Sequence, residues 1–146
     1  MALTRSASAT WRGDLPSGEG TVSAESGFVS DAPTSWKART EDATGKTSPE
    51  ELLAAAHASC FSMAFSNELS KVGFVPDRVE VTVEVTADKR EMGWTVLSSQ
   101  ITARGWVPNV DEETFQAMAQ KAKDGCPISR AIGGNVEVSV NATLES

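Results

Sequence analysis

The spacing of apolar and polar positions changes several times along the chain, and each change marks an element. Between Arg78 and Thr86, Val79, Val81, Val83 and Val85 alternate with Glu80, Thr82, Glu84 and Thr86. A period of two puts one face of a strand on a core and the other in water. Asp88 to Gly93 is polar and turn-prone, and Trp94 to Val107 reads as a second strand, so the pair predicts a hairpin. Val136, Val138, Val140, Ala142 and Leu144 repeat the alternation against Glu137, Ser139, Asn141 and Thr143, which predicts a further strand of the same sheet. Between these strands the period becomes helical. Phe115, Met118, Ala119 and Ala122 fall at i, i+3, i+4 and i+7 after the N-cap candidate Asp111. Gly125 stops that helix, Cys126 follows, and Pro127 opens a short helix that ends at Gly133-Gly134.

Thr47 to Phe74 has a different pattern. Ser48 suits an N-cap, Pro49 the first helical position, and Glu51 the third position of a capping box. From Leu52 to Phe65 no residue is charged, and apolar residues fall on every face. Such a helix is expected to be buried all round. It ends near Gly73. Ahead of it, residues 1–46 are rich in Gly, Ser and Thr. Turn signals separate β-like pieces at Ala7 to Arg12, Gly20 to Val29 and Thr34 to Thr40, predicting a small antiparallel meander. The expected fold class is α+β: antiparallel sheets packed on a long buried central helix. Residues 1–146 are expected to form one domain, with the meander at 1–46, the core helix at 48–73, and strands with shorter helices at 77–146.

Composition narrows the function. At 146 residues the chain can bury a core without disulfide staples. A net charge of −7 argues against nucleic-acid and anionic-membrane partners. The stretch from Met1 to Trp11 lacks the apolar segment of a signal peptide, so a cytoplasmic location is expected. In a reducing compartment, two cysteines are reactive, metal-binding or simply buried more often than permanently bridged.

Cys60, in the middle of the apolar helix, and Cys126, in Gly-Cys-Pro, are the two cysteines, and His57 is the sole histidine. Both thiols fit a reading as small buried hydrophobes. Cys126 stands just before a helix start, where a thiolate is favoured, and both cysteines belong to segments expected on one sheet. His57 lies one turn before Cys60, which raises two further readings. As a metal site, the trio has no C-x-x-C, no H-x-x-x-H and no fourth ligand, and neither metal nor cofactor is expected. As a nucleophile pair, Cys60 and His57 are held side by side by the helix, with no oxyanion hole in the nearby sequence.

The sequence T-S-P-E-E-L-L-A-A-A-H-A-S-C-F-S-M-A, followed about sixty residues later by K-A-K-D-G-C-P-I-S, resembles the OsmC/Ohr family of thiol-dependent hydroperoxide reductases. Trp11-Arg12-Gly13-Asp14 and Gly18 to Gly27 resemble its OsmC branch. The resemblance implies a peroxidatic role for Cys60, a resolving role for Cys126, an active-site glutamate at Glu50, and at Arg39 an arginine that pairs with the thiolate. It also implies a peroxidase of oxidative or osmotic stress that reduces organic hydroperoxides through a Cys60–Cys126 disulfide. An external dithiol, such as a dihydrolipoyl protein, would recycle it. A redox sensor or a binding protein of the same fold is the alternative.

Physical chemistry constrains this set. Cys60 lies too deep in a helix for the N-terminal dipole to reach, and burial raises a thiol's pKa. A cation is therefore needed, and Arg39 oriented by Glu50 supplies one in principle. Ten residues of unbroken helix separate Glu50 from Cys60 by about 15 Å. Either the helix is interrupted or another subunit completes the site, and an intertwined homodimer with sites at the subunit interface is expected. Trp36, Phe61, Met63 and Phe65 read as ordinary core residues or as an apolar setting suited to organic hydroperoxides.

Overall fold

The computed structural model describes residues 1–146. The chain divides into two compact units, Met1–Leu52 and Leu53–Ser146. In the first, β1 (Ala7–Arg12), β2 (Glu19–Ala24) and β3 (Ala32–Thr34) form an antiparallel sheet in sequence order. The Gly18-Glu19-Gly20 stretch is a packing device. A side-chain carbon at Gly20 would lie 2.7 Å from the Trp11 ring, and one at Gly18 would lie 3.0 Å from it. Glycine at position 20 leaves room for the indole, while at position 18 a side-chain carbon would first collide with the Asp14 and Arg12 carbonyl oxygens.

The third piece of the meander departs from the expectation. The strand stops at Thr34, and Trp36–Thr40 is a helical turn, α1, instead of a strand. Ser35 is the reason. Its hydroxyl accepts the Ala38 amide at 3.0 Å, a local N-cap that outcompetes strand pairing.

Helix α2 (Pro49–Lys71) starts as its sequence signals demand, with the Ser48 hydroxyl accepting the Glu51 amide at 3.2 Å. It ends with the Phe74 amide reaching back to the Leu69 carbonyl at 3.0 Å. Within one chain it is not buried all round, as its composition predicted. His57, Phe61, Phe65 and Leu69, spaced by four, are buried, while Ala55, Ala56, Ser59 and Met63 on other faces are exposed. A single sheet covers one stripe of a helix about 10 Å across and leaves the rest in water.

That sheet consists of β4 (Arg78–Arg90), β5 (Gly93–Trp106) and β6 (Glu137–Glu145). The β4–β5 hairpin is antiparallel, but β5 and β6 pair in parallel, so the sheet is mixed and not wholly antiparallel. Two helices cause this. Helices α3 (Glu112–Gly125) and α4 (Pro127–Ile132) carry the chain back across the sheet before β6 begins. Asp111 caps α3 as its sequence position suggests, accepting the Thr114 amide at 2.7 Å.

The core is built in rows. Val83, Ile101 and Val140 lie side by side, as do Val81, Ala103 and Ala142, and then Val79, Gly105 and Leu144. Along β5 the inward residues shrink from Ile101 to Ala103 to Gly105, and the Phe115 ring of α3 fills the space. A side-chain carbon at Gly105 would meet that ring at 2.6 Å. Phe65 links helix to helix, its ring 5.6 Å from Phe61 and 5.1 Å from Phe115, both in tilted geometry. Removing Phe65, which is fully buried, is expected to cost about 3–5 kcal/mol, and Gly105→Ala about 1–3 kcal/mol through overpacking. Denaturant unfolding of Phe65→Ala and Gly105→Ala checks both values.

Candidate functional site

The two cysteines meet in the second unit. Cys60 comes from the middle of α2, and Cys126 from the joint between α3 and α4, where Gly125 ends one helix and Pro127 begins the next. Their sulfur atoms lie 3.0 Å apart and are not bonded. A disulfide would require them to close to about 2.05 Å. Access to the two sulfurs is unequal. Cys126 is fully buried, whereas Cys60 is partly open. It borders a surface cavity of about 480 Å³ lined by Met63, Ala64, Asn67, Lys71 and Pro127.

The electrostatics are unequal too. Burial pushes the Cys60 thiol up, and the neighbouring Cys126 sulfur adds to the rise, while the Ile128 amide opposes it only in part. No basic side chain is among the groups acting on Cys60. Burial also acts to raise Cys126, but donors around its sulfur outweigh it: the Cys60 thiol, the Ser129 amide and hydroxyl, and the Ile128 amide. The Cys60 thiol is thus shifted up and the Cys126 thiol down.

Arg39 and Glu50 are paired in the first unit. The Arg39 Nε donates to Glu50 Oε1 at 2.9 Å and Oε2 at 3.1 Å, and Nη2 lies 2.9 Å from Oε1. The guanidinium fork is thus fixed by a carboxylate. It also sits 5.8 Å from the centre of the Trp36 ring. Arg39 forms part of the wall of a cavity of about 310 Å³ whose other walls include Trp11, Leu15, Val22, Trp36 and Leu52. A charge set among indoles and aliphatic side chains suits a ligand with one polar and one apolar end. Helix α2 is continuous from Pro49 to Lys71, so Glu50 in its first turn stands about 15 Å along the axis from Cys60.

His57 is fully buried and faces neither sulfur. Its Nδ1 lies 2.6 Å from the Ser99 hydroxyl and its Nε2 lies 2.7 Å from the Ser129 hydroxyl. Both serines lie outside the residues that the sequence singles out. Ser99 carried a signal: it occupies an inward position on β5, between Val85 and Val138 in an otherwise apolar row. A hydroxyl there requires a buried partner. Ser129 sits in the first turn of α4, three residues after Cys126, and nothing in its local sequence marks it.

Burial lowers the His57 pKa below its ordinary 6.5. The unfolded chain then binds a proton more readily than the folded one, so stability must fall as pH drops below 6.5. Because the chain has one histidine, the slope between pH 6.5 and 5 belongs largely to it, at no more than about 1.4 kcal/mol per pH unit. Urea titrations across this range are expected to show that slope in the wild type and to lose it in His57→Gln.

Residues 40–141 match the family described as OsmC-like protein. Over all 146 residues, and the whole length of both chains, the sequence is 39% identical to Peroxiredoxin OsmC of Escherichia coli. It is 32% identical over 101 residues to the organic hydroperoxide resistance protein OhrA of Bacillus subtilis, covering 64% of this chain and 65% of that one. Among solved structures, the organic hydroperoxide resistance protein OhrB of Bacillus subtilis superposes with a TM-score of 0.74 at 26% identity. That match covers 94% of this chain and 98% of its counterpart. With the two-unit fold, the juxtaposed thiols and the paired arginine and glutamate in view, these matches establish that the chain belongs to the OsmC family.

Proposed function

We propose that this protein is a thiol peroxidase that reduces organic hydroperoxides to alcohols through Cys60 and Cys126. The observation that carries the reading is the contact between a partly open and a buried sulfur, 3.0 Å apart. Relatives named for peroxiredoxin activity and for organic hydroperoxide resistance support the reaction class.

The Cys60 thiolate attacks the terminal oxygen of the hydroperoxide and the O–O bond breaks. The alkoxide takes a proton and leaves as the alcohol, and Cys60 is left as a sulfenic acid. The Cys126 thiolate then attacks the Cys60 sulfur. The S–O bond breaks, hydroxide leaves and is protonated to water, and a disulfide remains. An external dithiol, for which a dihydrolipoyl protein is our candidate, restores both thiols by exchange and is itself oxidised to a cyclic disulfide. A reducing compartment such as the cytoplasm suits this cycle.

The first step needs a thiolate at Cys60, and therefore a cation. Arg39, oriented by Glu50, is the group we assign, contributed by a second copy of the chain. Two features support a homodimer whose subunits complete each other's sites. One is the roughly 15 Å of continuous helix between Glu50 and Cys60. The other is the unsatisfied apolar side of α2, where Met63 is 66% exposed. The Trp11, Leu15 and Trp36 cavity around Arg39 then takes the alkyl group, and organic hydroperoxides are preferred over hydrogen peroxide.

Steady-state turnover with cumene hydroperoxide and dihydrolipoamide tests this reading. Cys60→Ser is expected to lose at least a thousandfold in kcat/KM. Cys126→Ser is expected to complete its first turnover and then inactivate as Cys60 over-oxidises. Full activity in Cys60→Ser, or a higher kcat/KM for hydrogen peroxide than for cumene hydroperoxide, would overturn it.

A further inference from the structure

Cys126 is fully buried, and of the two sulfurs it is Cys60 that borders the cavity of about 480 Å³ in the second unit. From Cys60 the wall runs along α2 through Asn67, Glu68 and Lys71, and Gly125 and Pro127 complete it. Eleven residues of helix place Lys71 about 16 Å along the axis from Cys60. The cavity therefore has a sulfur at one end and charge at the other. The charged end is organised. Lys71 Nζ donates to Glu68 Oε1 at 2.9 Å, and Nζ of Lys121, from α3, lies 3.3 Å from Oε2. The Glu68 side chain is 14% exposed, against 57% for Lys71 and 63% for Lys121. One shielded carboxylate thus fixes two ammonium groups from two helices, and solvent meets the ammoniums. The neighbouring Asp124 is paired with Lys123 at 3.4 Å. A chain with a net charge of −7 sets cations along the approach to its accessible sulfur.

We propose that this cavity is the port through which the reductant reaches the oxidised protein, and that the reductant is a dithiol carried on a slender arm by a protein with an acidic surface. The proposal rests on the two-cysteine reading above. Access argues for the arm. Cys60 is only partly open, so a thiol fixed on a folded surface meets the cavity walls before it meets the sulfur. Charge argues for the acidic carrier. The separation of Lys71 from Cys60 exceeds a Debye length of about 8 Å at physiological salt, so the ammoniums act on the carrier and not on the reacting sulfur. Exposed cations of this kind steer an acidic partner into place and speed the encounter.

Access also fixes the order of the exchange. A thiolate attacks a disulfide along the extension of the S–S bond, and access decides which sulfur it takes. Cys126 is fully buried, so the attack falls on Cys60. A bond forms between the arm and the Cys60 sulfur, the Cys60–Cys126 bond breaks, and Cys126 leaves as a thiolate. The arm's second sulfur, as thiolate, then attacks the arm sulfur of the mixed disulfide, and Cys60 leaves. The arm ends as a cyclic disulfide, oxidised by two electrons, and its two thiol protons end on Cys60 and Cys126.

Stopped-flow reduction of the peroxide-oxidised protein tests this with two reductants: free dihydrolipoamide, which is neutral, and a dihydrolipoyl carrier domain of net negative charge. Changing Lys71→Glu and Lys121→Glu together is expected to slow the carrier at least about tenfold and dihydrolipoamide less than about twofold. Added salt must slow the carrier with the wild type and leave it unchanged with the double variant. Should three crowded carboxylates prevent folding, Lys71→Gln with Lys121→Gln must show the same selectivity, and Lys71→Arg with Lys121→Arg must keep the wild-type rates. A brief reaction with N-acetylcysteine, quenched with iodoacetamide, locates the first attack. Mass spectrometry is expected to find the N-acetylcysteine on Cys60 and the alkyl group on Cys126. Equal slowing of both reductants, an unslowed carrier, or N-acetylcysteine on Cys126 would overturn the inference while leaving the peroxidase reading intact. If the wild type forms no disulfide with peroxide, the two-cysteine reading falls, and this inference with it.

Discussion

Two sulfur atoms 3.0 Å apart set the demands that the rest of this molecule has to meet. One lies in a helix interior and the other at the joint of two short helices, so the thiols touch only if α2, α3 and α4 are held in register by the core beneath them. Phe61 and Phe65 from α2, Phe115 from α3, and the row of small residues on β5 do that work. The cost is electrostatic. Burial raises the Cys60 thiol, whereas the hydrogen-bond donors near Cys126 lower its thiol. Under the proposed mechanism, Cys60 needs its charge stabilised from outside its own neighbourhood.

The arginine–glutamate pair has complementary properties. Its fork is held by both carboxylate oxygens, it lies beside an indole, and it opens onto an apolar cavity. Such a guanidinium is preorganised, with little side-chain entropy left to lose on meeting an anion. Its carboxylate partner is anchored in the first turn of the same helix that carries Cys60 ten residues later. The uncovered faces of that helix follow from the same composition: apolar residues on all sides, and one sheet to cover one of them.

Much of this was legible in the sequence because the signals were local. Strand alternation around Val79–Val85 and Val136–Leu144, the caps at Ser48 and Asp111, and the stop at Gly125 all act within a few residues and appear where expected. Features that depend on tertiary context were harder to see. The Ser35 cap turned Trp36–Thr40 into a helix against its β-like composition. The parallel β5–β6 pairing depends on where two helices deliver the chain. Of the site residues, Cys60 and Cys126 announce themselves by rarity. Arg39 is one of several arginines and is picked out by family resemblance, and its fork with Glu50 becomes visible only in three dimensions. Ser99 and Ser129 are the instructive omissions, since ordinary residues gain meaning from a buried histidine that reaches both.

The central claim is that a working site takes its sulfur from one copy of the chain and its cation from another. Mixed dimers of Glu50→Gln and Cys60→Ser chains, purified through two different tags, test it directly. A shared site predicts that these heterodimers recover about half of the wild-type peroxidase turnover although each parent homodimer is impaired, because one interface regains an intact cysteine and an intact glutamate. Heterodimers no more active than the parent homodimers would contradict the account.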